Sequence, residues 1–223
     1  MRILIVEDEI RLAENIATVL RESVGYAVDL IGNGQDGLYM AETNPYDLLI
    51  LDLMLPGLSG TELLERMRAK GIPTPVLVMT ARDDRESVIA LLEAGADDYV
   101  TKPFDLGELV ARCKALVRRG KGQSSSILRY GEIEIDATQQ TVKKAGKAIS
   151  LTGMEYRVLE YLAHRPGVIV SKTELSEHLY DFNWEKFSNV LEVYIYGLRR
   201  KLGDRGSDAL IQTIRGRGYV LRG

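Results

Sequence analysis

The sequence predicts an α/β protein, a doubly wound five-stranded parallel sheet followed by a smaller α+β unit. Three observations predict it. In the first half, five short apolar runs alternate with stretches of helical spacing, the pattern of a parallel sheet covered on both faces. Gly120-Lys121-Gly122-Gln123-Ser124-Ser125-Ser126 then contains no apolar residue and reads as a flexible linker. Beyond it the pattern changes to short alternating segments followed by further helices. The expected division is 1–119, a linker at 120–126, and 127–223, since 223 residues suit two domains of roughly 100–120 each.

Taken in order, residues 3–6 form a short apolar run ended by acids, 10–20 have helical spacing, 26–31 are extended and 34–42 helical. Residues 48–51 are a fully apolar strand, 60–67 a helix, 76–79 a strand, 86–94 a helix, 99–100 a short strand, and 106–119 an amphipathic helix. After the linker, Ile133-Glu134-Ile135 and Thr141-Val142-Lys143 suggest a small antiparallel sheet. Helices follow near 152–164, 171–179 and 187–203, and residues 211–221 read as a β-hairpin turning on glycines.

Hydrophobic residues make up 45% of the chain, enough for each half to bury a core. No apolar run approaches the ~20 residues of a membrane span. The start, Met1-Arg2-Ile3-Leu4-Ile5-Val6-Glu7, turns acidic too early for a signal peptide, so a cytoplasmic chain without membrane attachment is expected. The single cysteine, Cys113, excludes an intrachain disulfide and reads as a half-buried helix residue. The net charge of −3 conceals an asymmetry: residues 1–119 carry 13 Lys+Arg against 20 Asp+Glu, and residues 120–223 carry 16 against 12. An acidic half suits a cation site and a basic half a polyanion.

The first, third, fourth and fifth strands are each followed at once by polar residues: Glu7-Asp8, Asp52, Thr80 and Lys102. Ligands of such sheets bind at the carboxyl ends of the strands, so these residues belong to one cluster. Three carboxylates held together repel unless they share a cation. A hard ion suits them, and Mg²⁺ with one or two carboxylates plus phosphate oxygens suits best. An aspartate beside that ion can attack phosphorus and form an aspartyl phosphate. Lys102 sets a positive charge opposite incoming phosphoryl oxygens, and the Thr80 hydroxyl can donate to another.

Glu7-Asp8, Asp52 with Pro56-Gly57, Thr80-Ala81 and Lys102-Pro103-Phe104 occur in the order found in response-regulator receivers, and residues 1–119 resemble that flavodoxin-like domain. The resemblance implies that Asp52 accepts a phosphoryl group from a sensor histidine kinase and that Asp8, Asp52 and the Met54 carbonyl hold Mg²⁺, with Glu7 acting through water. It implies that Lys102 and Thr80 contact the phosphoryl group, that the Lys102–Pro103 bond is cis, and that Tyr99 is an aromatic switch following Thr80. A haloacid-dehalogenase-type phosphatase would use a similar set but needs a second acid two residues after the nucleophile. That position is Met54, which transfers no proton. The expectation is thus a regulator rather than an enzyme, with only self-phosphorylation and slow autodephosphorylation. A dinucleotide site is excluded because no G-x-G-x-x-G follows the first strand.

Residues 127–223 resemble the winged-helix effector domain of the OmpR/PhoB family. Leu151-Thr152, Glu155-Tyr156, Ser188-Asn189-Val190-Leu191-Glu192-Val193, Leu198-Arg199-Arg200-Lys201-Leu202 and Arg215-Gly216-Arg217-Gly218-Tyr219 carry the likeness. At ~100° per residue, Leu191, Tyr194, Ile195, Leu198 and Leu202 form a core stripe of the proposed recognition helix. Asn189, Glu192, Val193, Tyr196, Arg199 and Arg200 face the other way. Arg suits guanine, Asn suits adenine, and an apolar side chain suits a thymine methyl, so this face fits a major groove. The expected contacts to double-stranded promoter DNA are Asn189, Val193, Tyr194, Tyr196, Arg199, Arg200 and Lys201 on the helix. In the hairpin they are Thr213 on phosphate and Arg215 or Arg217 in a minor groove. Gly197 departs from the family, costing ~1 kcal/mol in a helix relative to alanine and removing a phosphate contact. Tyr194 stands where many relatives have His.

The same resemblance implies a homodimer on activation, through a receiver face with Ile89, Leu92 and Val110 as apolar patch and Asp97, Asp98, Glu108, Arg112 and Arg119 as charges. Val88 replaces the basic residue expected to meet Glu108, and Arg85 is its possible substitute. In the aromatic segment 180–187, Asp181, Trp184 and Glu185 are implied contacts to RNA polymerase, with core packing of Trp184 as the alternative.

Overall fold

The computed structural model describes residues 1–81, 84–123, 125–180, 190–204 and 209–222. The chain divides into two compact units, Met1–Gln123 and Ser124–Gly223.

In the first unit, strands β1 (Arg2–Val6), β2 (Ala27–Ile31), β3 (Leu48–Asp52), β4 (Val76–Thr80) and β5 (Asp98–Thr101) form one parallel sheet in the order β2-β1-β3-β4-β5. Every residue of β1, β3 and β4 is buried, which explains why these strands read as unbroken apolar runs and not as alternating ones. Helices α1 (Ile10–Val19), α2 (Gly34–Thr43), α3 (Gly60–Ala69), α4 (Arg85–Glu93) and α5 (Leu106–Gly120) make the crossovers. Leu38 of α2, Leu63, Leu64 and Met67 of α3 and Leu91 of α4 pack with Leu4, Leu49 and Val78 into one core, while α1 and α5 touch each other. Their starts are locally encoded. Asn33, Asp84 and Asp105 cap α2, α4 and α5, and Ser59 with Glu62 makes a capping box for α3. The first helix runs further than its spacing suggested: a π turn over Leu20–Val24 prolongs it until Gly25 at φ 70° ends it.

The expected linker is partly taken up by this unit. Helix α5 runs to Gly120, and Lys121, Gly122 and Gln123 donate backbone bonds to Arg118 and Arg119 carbonyls. Lys121 also pairs with the buried carboxylate of Asp47.

The second unit opens with an antiparallel sheet of β6 (Ile127–Tyr130), β7 (Ile133–Asp136), β8 (Thr141–Lys144) and β9 (Lys147–Ile149). Helices α6 (Gly153–Ala163), α7 (Lys172–Leu179) and α8 (Val190–Leu202) and a hairpin of β10 (Ile211–Ile214) and β11 (Gly218–Leu221) follow. Val170 pairs with Tyr219 and extends the hairpin by one bridge. Gly218 permits this, because a Cβ there would lie 2.0 Å from the Val170 carbonyl oxygen. This is the winged-helix arrangement. Among the described residues no helix is long and apolar enough to cross a membrane.

Candidate functional site

In the order β2-β1-β3-β4-β5 the chain reverses direction between β1 and β3, and ligands bind at the carboxyl ends of strands beside such a switch. Glu7 and Asp8 follow β1, and Asp52 ends β3. Glu7 and Asp52 are buried and Asp8 is exposed, with their carboxylate oxygens within 4.8 Å of one another. The backbone around Asp52 is tightly held: a Cβ at Gly60, the first residue of α3, would lie 2.0 Å from the Asp52 carbonyl oxygen. Only glycine lets α3 start there.

Lys102 leaves β5 and bridges the pocket, its Nζ 2.7 Å from Glu7 Oε2 and 2.8 Å from Asp52 Oδ2. The Met54 N–H donates to Asp52 Oδ1 at 3.2 Å. Thr80, the last residue of β4, is buried. Burial alone would pull the Lys102 ammonium down. Its hydrogen bonds and ion pairs to Asp52 and Glu7 outweigh that and leave its pKa raised. Burial pushes the Glu7 carboxyl up, against the hydrogen bonds from Lys102 and the Glu9 N–H. One ammonium against three carboxylates leaves negative charge in excess. The donor set is entirely oxygen, so a hard divalent cation fits it.

All four strand ends singled out in the sequence therefore lie where expected, and the Lys102–Pro103 peptide is cis. Glu7 differs in its contacts, since it touches Lys102 directly. Tyr99 is half-buried against the core. Exposed Ile10 and Met54 stand just after the strand-end acids. Met54 was singled out in the sequence, whereas Ile10 was not.

On the α4–β5–α5 surface, Ile89 and Leu92 are exposed, Val110 is half-buried and Arg119 is exposed. Asp97, Asp98, Glu108 and Arg112 pair within the chain. Arg112 bonds both Asp98 oxygens, at 3.0 and 3.1 Å, and Glu108 at 2.7 Å. Asp97 accepts from Arg68 and from the Val76 N–H, each at 2.8 Å. Arg68, absent from the sequence reading, also donates to the Gly95, Ile72 and Thr74 carbonyls.

In the second unit the core stripe of α8 is Leu191, Ile195, Leu198 and Leu202, all buried. Tyr194, expected in it, is half-buried beside Tyr180, whose hydroxyl is pushed up to about 12 by burial and by Tyr194. Val193, Tyr196 and Arg200 are exposed, as are Thr213, Arg215 and Arg217. Several of the expected contacts have partners inside the unit. Arg199 donates to the Ile211 carbonyl and to Thr213 Oγ1, and Lys201 pairs with Glu155 at 2.6 Å. Asn189 and the expected polymerase contacts Asp181, Trp184 and Glu185 lie outside the described residues. Glu192, placed on the outward face of the helix from sequence, pairs with Lys172 at the start of α7.

Residues 3–114 match the family description "Response regulator receiver domain" and residues 146–221 match "Transcriptional regulatory protein, C terminal". This chain belongs to the OmpR/PhoB family of response regulators. The response regulator is 43% identical to the transcriptional activator protein IrlR of Burkholderia pseudomallei, over 99% of its own length and 96% of that protein's. It is 40% identical to the two-component response regulator PhoP of Pseudomonas aeruginosa, over 99% and 97%. The solved receiver domain of the Francisella response regulator 1452 covers 53% of the chain, and 97% of that domain is covered, at 36% identity and a TM-score of 0.51. The regulator is accordingly a two-component transcriptional regulator and not a classical enzyme.

Proposed function

We propose that this response regulator accepts a phosphoryl group on Asp52 from a sensor histidine kinase, pairs with a second copy and binds promoter DNA. The observation that carries the reading is the Lys102 ammonium spanning Glu7 and Asp52 at the strand ends. An Asp52 carboxylate oxygen attacks phosphorus, an O–P bond forms, and the P–N bond to the donor histidine breaks. Lys102 exchanges its bond to Asp52 for one to a phosphoryl oxygen while Glu7 keeps hold of it. The Thr80 hydroxyl turns to another phosphoryl oxygen, and Tyr99 follows. Asp8, Asp52 and the Met54 carbonyl would hold Mg²⁺, which supplies charge neutralisation to the carboxylates and the phosphoryl oxygens. With Met54 in place of a second acid, water is not activated, so autodephosphorylation is slow and the phosphoryl group persists as a signal.

The dimer face comprises Ile89, Leu92, Val110, Asp97, Asp98, Glu108, Arg112 and Arg119. DNA is met by Val193, Tyr196 and Arg200 on α8 and by Asn189, with Tyr194 and Thr213 on phosphate and Arg215 or Arg217 in the minor groove. Asp181, Trp184 and Glu185 contact RNA polymerase. The protein works in the cytoplasm, with a receiver that ends at Gln123 and an effector unit that begins at Ser124.

The test is phosphoryl incorporation. Incubated with acetyl phosphate and Mg²⁺, the wild-type chain shifts on a phosphate-affinity gel and gains DNA affinity, whereas Asp52→Asn does neither. A shifted Asp52→Asn band overturns the assignment.

A further inference from the structure

The hairpin that carries Arg215 and Arg217 is fastened on both strands. On β11, the Tyr219 and Val170 backbones exchange bonds of 2.9 and 2.8 Å, over the space that Gly218 leaves free. On β10, the fastening comes from α8. Arg199 Nε and one terminal nitrogen donate to the Ile211 carbonyl at 3.0 and 2.7 Å, and that nitrogen also reaches Thr213 Oγ1 at 2.9 Å. The Ile211 N–H donates to Asp204 Oδ2 at 2.9 Å, and the Asp204 N–H returns to the Arg199 carbonyl at 2.8 Å. Both backbone groups of Ile211 are thus held by the last turn of α8 and the residue that follows it closely. What this leaves exposed is the hairpin turn, with Arg215 and Arg217, and the Val193, Tyr196 and Arg200 face of α8.

From this geometry we propose that Arg199 is a positioning residue: it fixes the hairpin turn against α8, so that the two elements meet DNA as one rigid surface, and it does not itself read DNA. The inference rests on the reading of α8 and the hairpin as the DNA interface. A guanidinium held by three hydrogen bonds through Nε and one terminal nitrogen is fixed against the hairpin and cannot swing into the groove without breaking them. Its planar fork also spans two acceptors that a lysine cannot span together.

The experiment uses the full chain, a duplex selected by the wild-type chain from a random-sequence pool, and amide hydrogen exchange of the free protein. Arg199→Lys, which keeps the charge, is expected to weaken binding by at least about tenfold, to speed exchange in β10 and β11, and to leave exchange in α6 unchanged. Thr213→Val is expected to be less than additive with it. Arg200→Ala is expected to weaken binding with no change in exchange; wild-type affinity in that variant would overturn the interface reading instead. Wild-type affinity in Arg199→Lys, weakened binding with unaltered hairpin exchange, or exposure of α6 as well would each overturn the positioning role.

Discussion

Lys102 bridges two buried carboxylates with one ammonium. Without it, Glu7 and Asp52 face each other and the exposed Asp8 with no cation among them. Lys102→Ala is therefore expected to lower the receiver's melting temperature without Mg²⁺ and to make added Mg²⁺ more stabilising than in wild type, measured by calorimetry. The same variant should slow phosphoryl incorporation by about 100-fold, the usual effect of removing one charge-stabilising donor. Gly197 is a second case in which one atom decides. Read from the sequence it is a helix defect costing ~1 kcal/mol. In the fold, a Cβ there would lie 2.5 Å from Glu155 Oε1, and that carboxylate is held by Lys201 and by the Thr152 N–H at 2.7 Å. Gly197→Ala is expected to destabilise the effector unit by about 1 kcal/mol despite the better helix former, because it displaces a capping carboxylate. Urea unfolding measures this, and a stabilised variant would refute the steric reading.

Elements are joined by charges that stand far apart in sequence. Glu155 ties the start of α6 to α8 through Lys201. Burial tends to raise its carboxyl, but the Lys201 and Thr152 bonds prevail and its pKa is lowered. A lowered folded pKa contributes stability that is present above the unfolded value of 4.5 and is lost as pH falls through the folded one. The effector unit should therefore weaken below about pH 4.5, more steeply in wild type than in Lys201→Ala, as followed by circular dichroism. In the receiver, Asp97 and Arg68 join the start of β4 to the loop before β5. Asp97→Ala removes an ion pair and strips the Val76 N–H of its acceptor. It is expected to cost about 2 kcal/mol of receiver stability, besides any effect on self-association.

At the scale of the whole molecule, the proposed dimer face is one on which Asp97, Asp98, Glu108 and Arg112 are paired internally. Asp98, Glu108 and Arg112 form one network, Asp97 is bonded to Arg68 and the Val76 N–H, and Val88 offers no charge. Exposed ion pairs contribute only ~0–1 kcal/mol each, so in the proposed dimer the association would rest on Ile89 and Leu92. Ile89→Asp should leave the phosphorylated chain monomeric in sedimentation experiments while Asp52 still takes up phosphate. The fold class, the four strand ends and the core stripe of α8 were legible in the sequence because they rest on periodicity and on short local signals. Runs of apolar residues make strands, an acid at a strand end makes a pocket, and a 3.6-residue period makes a buried face. Contacts between distant residues were not legible. A helical period shows that Arg199 and Lys201 leave the core stripe, but it does not show that Ile211, Thr213 and Glu155 wait for them there. Nor does composition reveal that residues 121–123 close α5 before the chain leaves the receiver. The sequence by itself determined the architecture and the acidic cluster, whose information is local and periodic. Only the tertiary structure decided that Arg199 and Lys201 are bonded inside the effector unit, because such a bond is set by proximity in space and leaves no period in the chain.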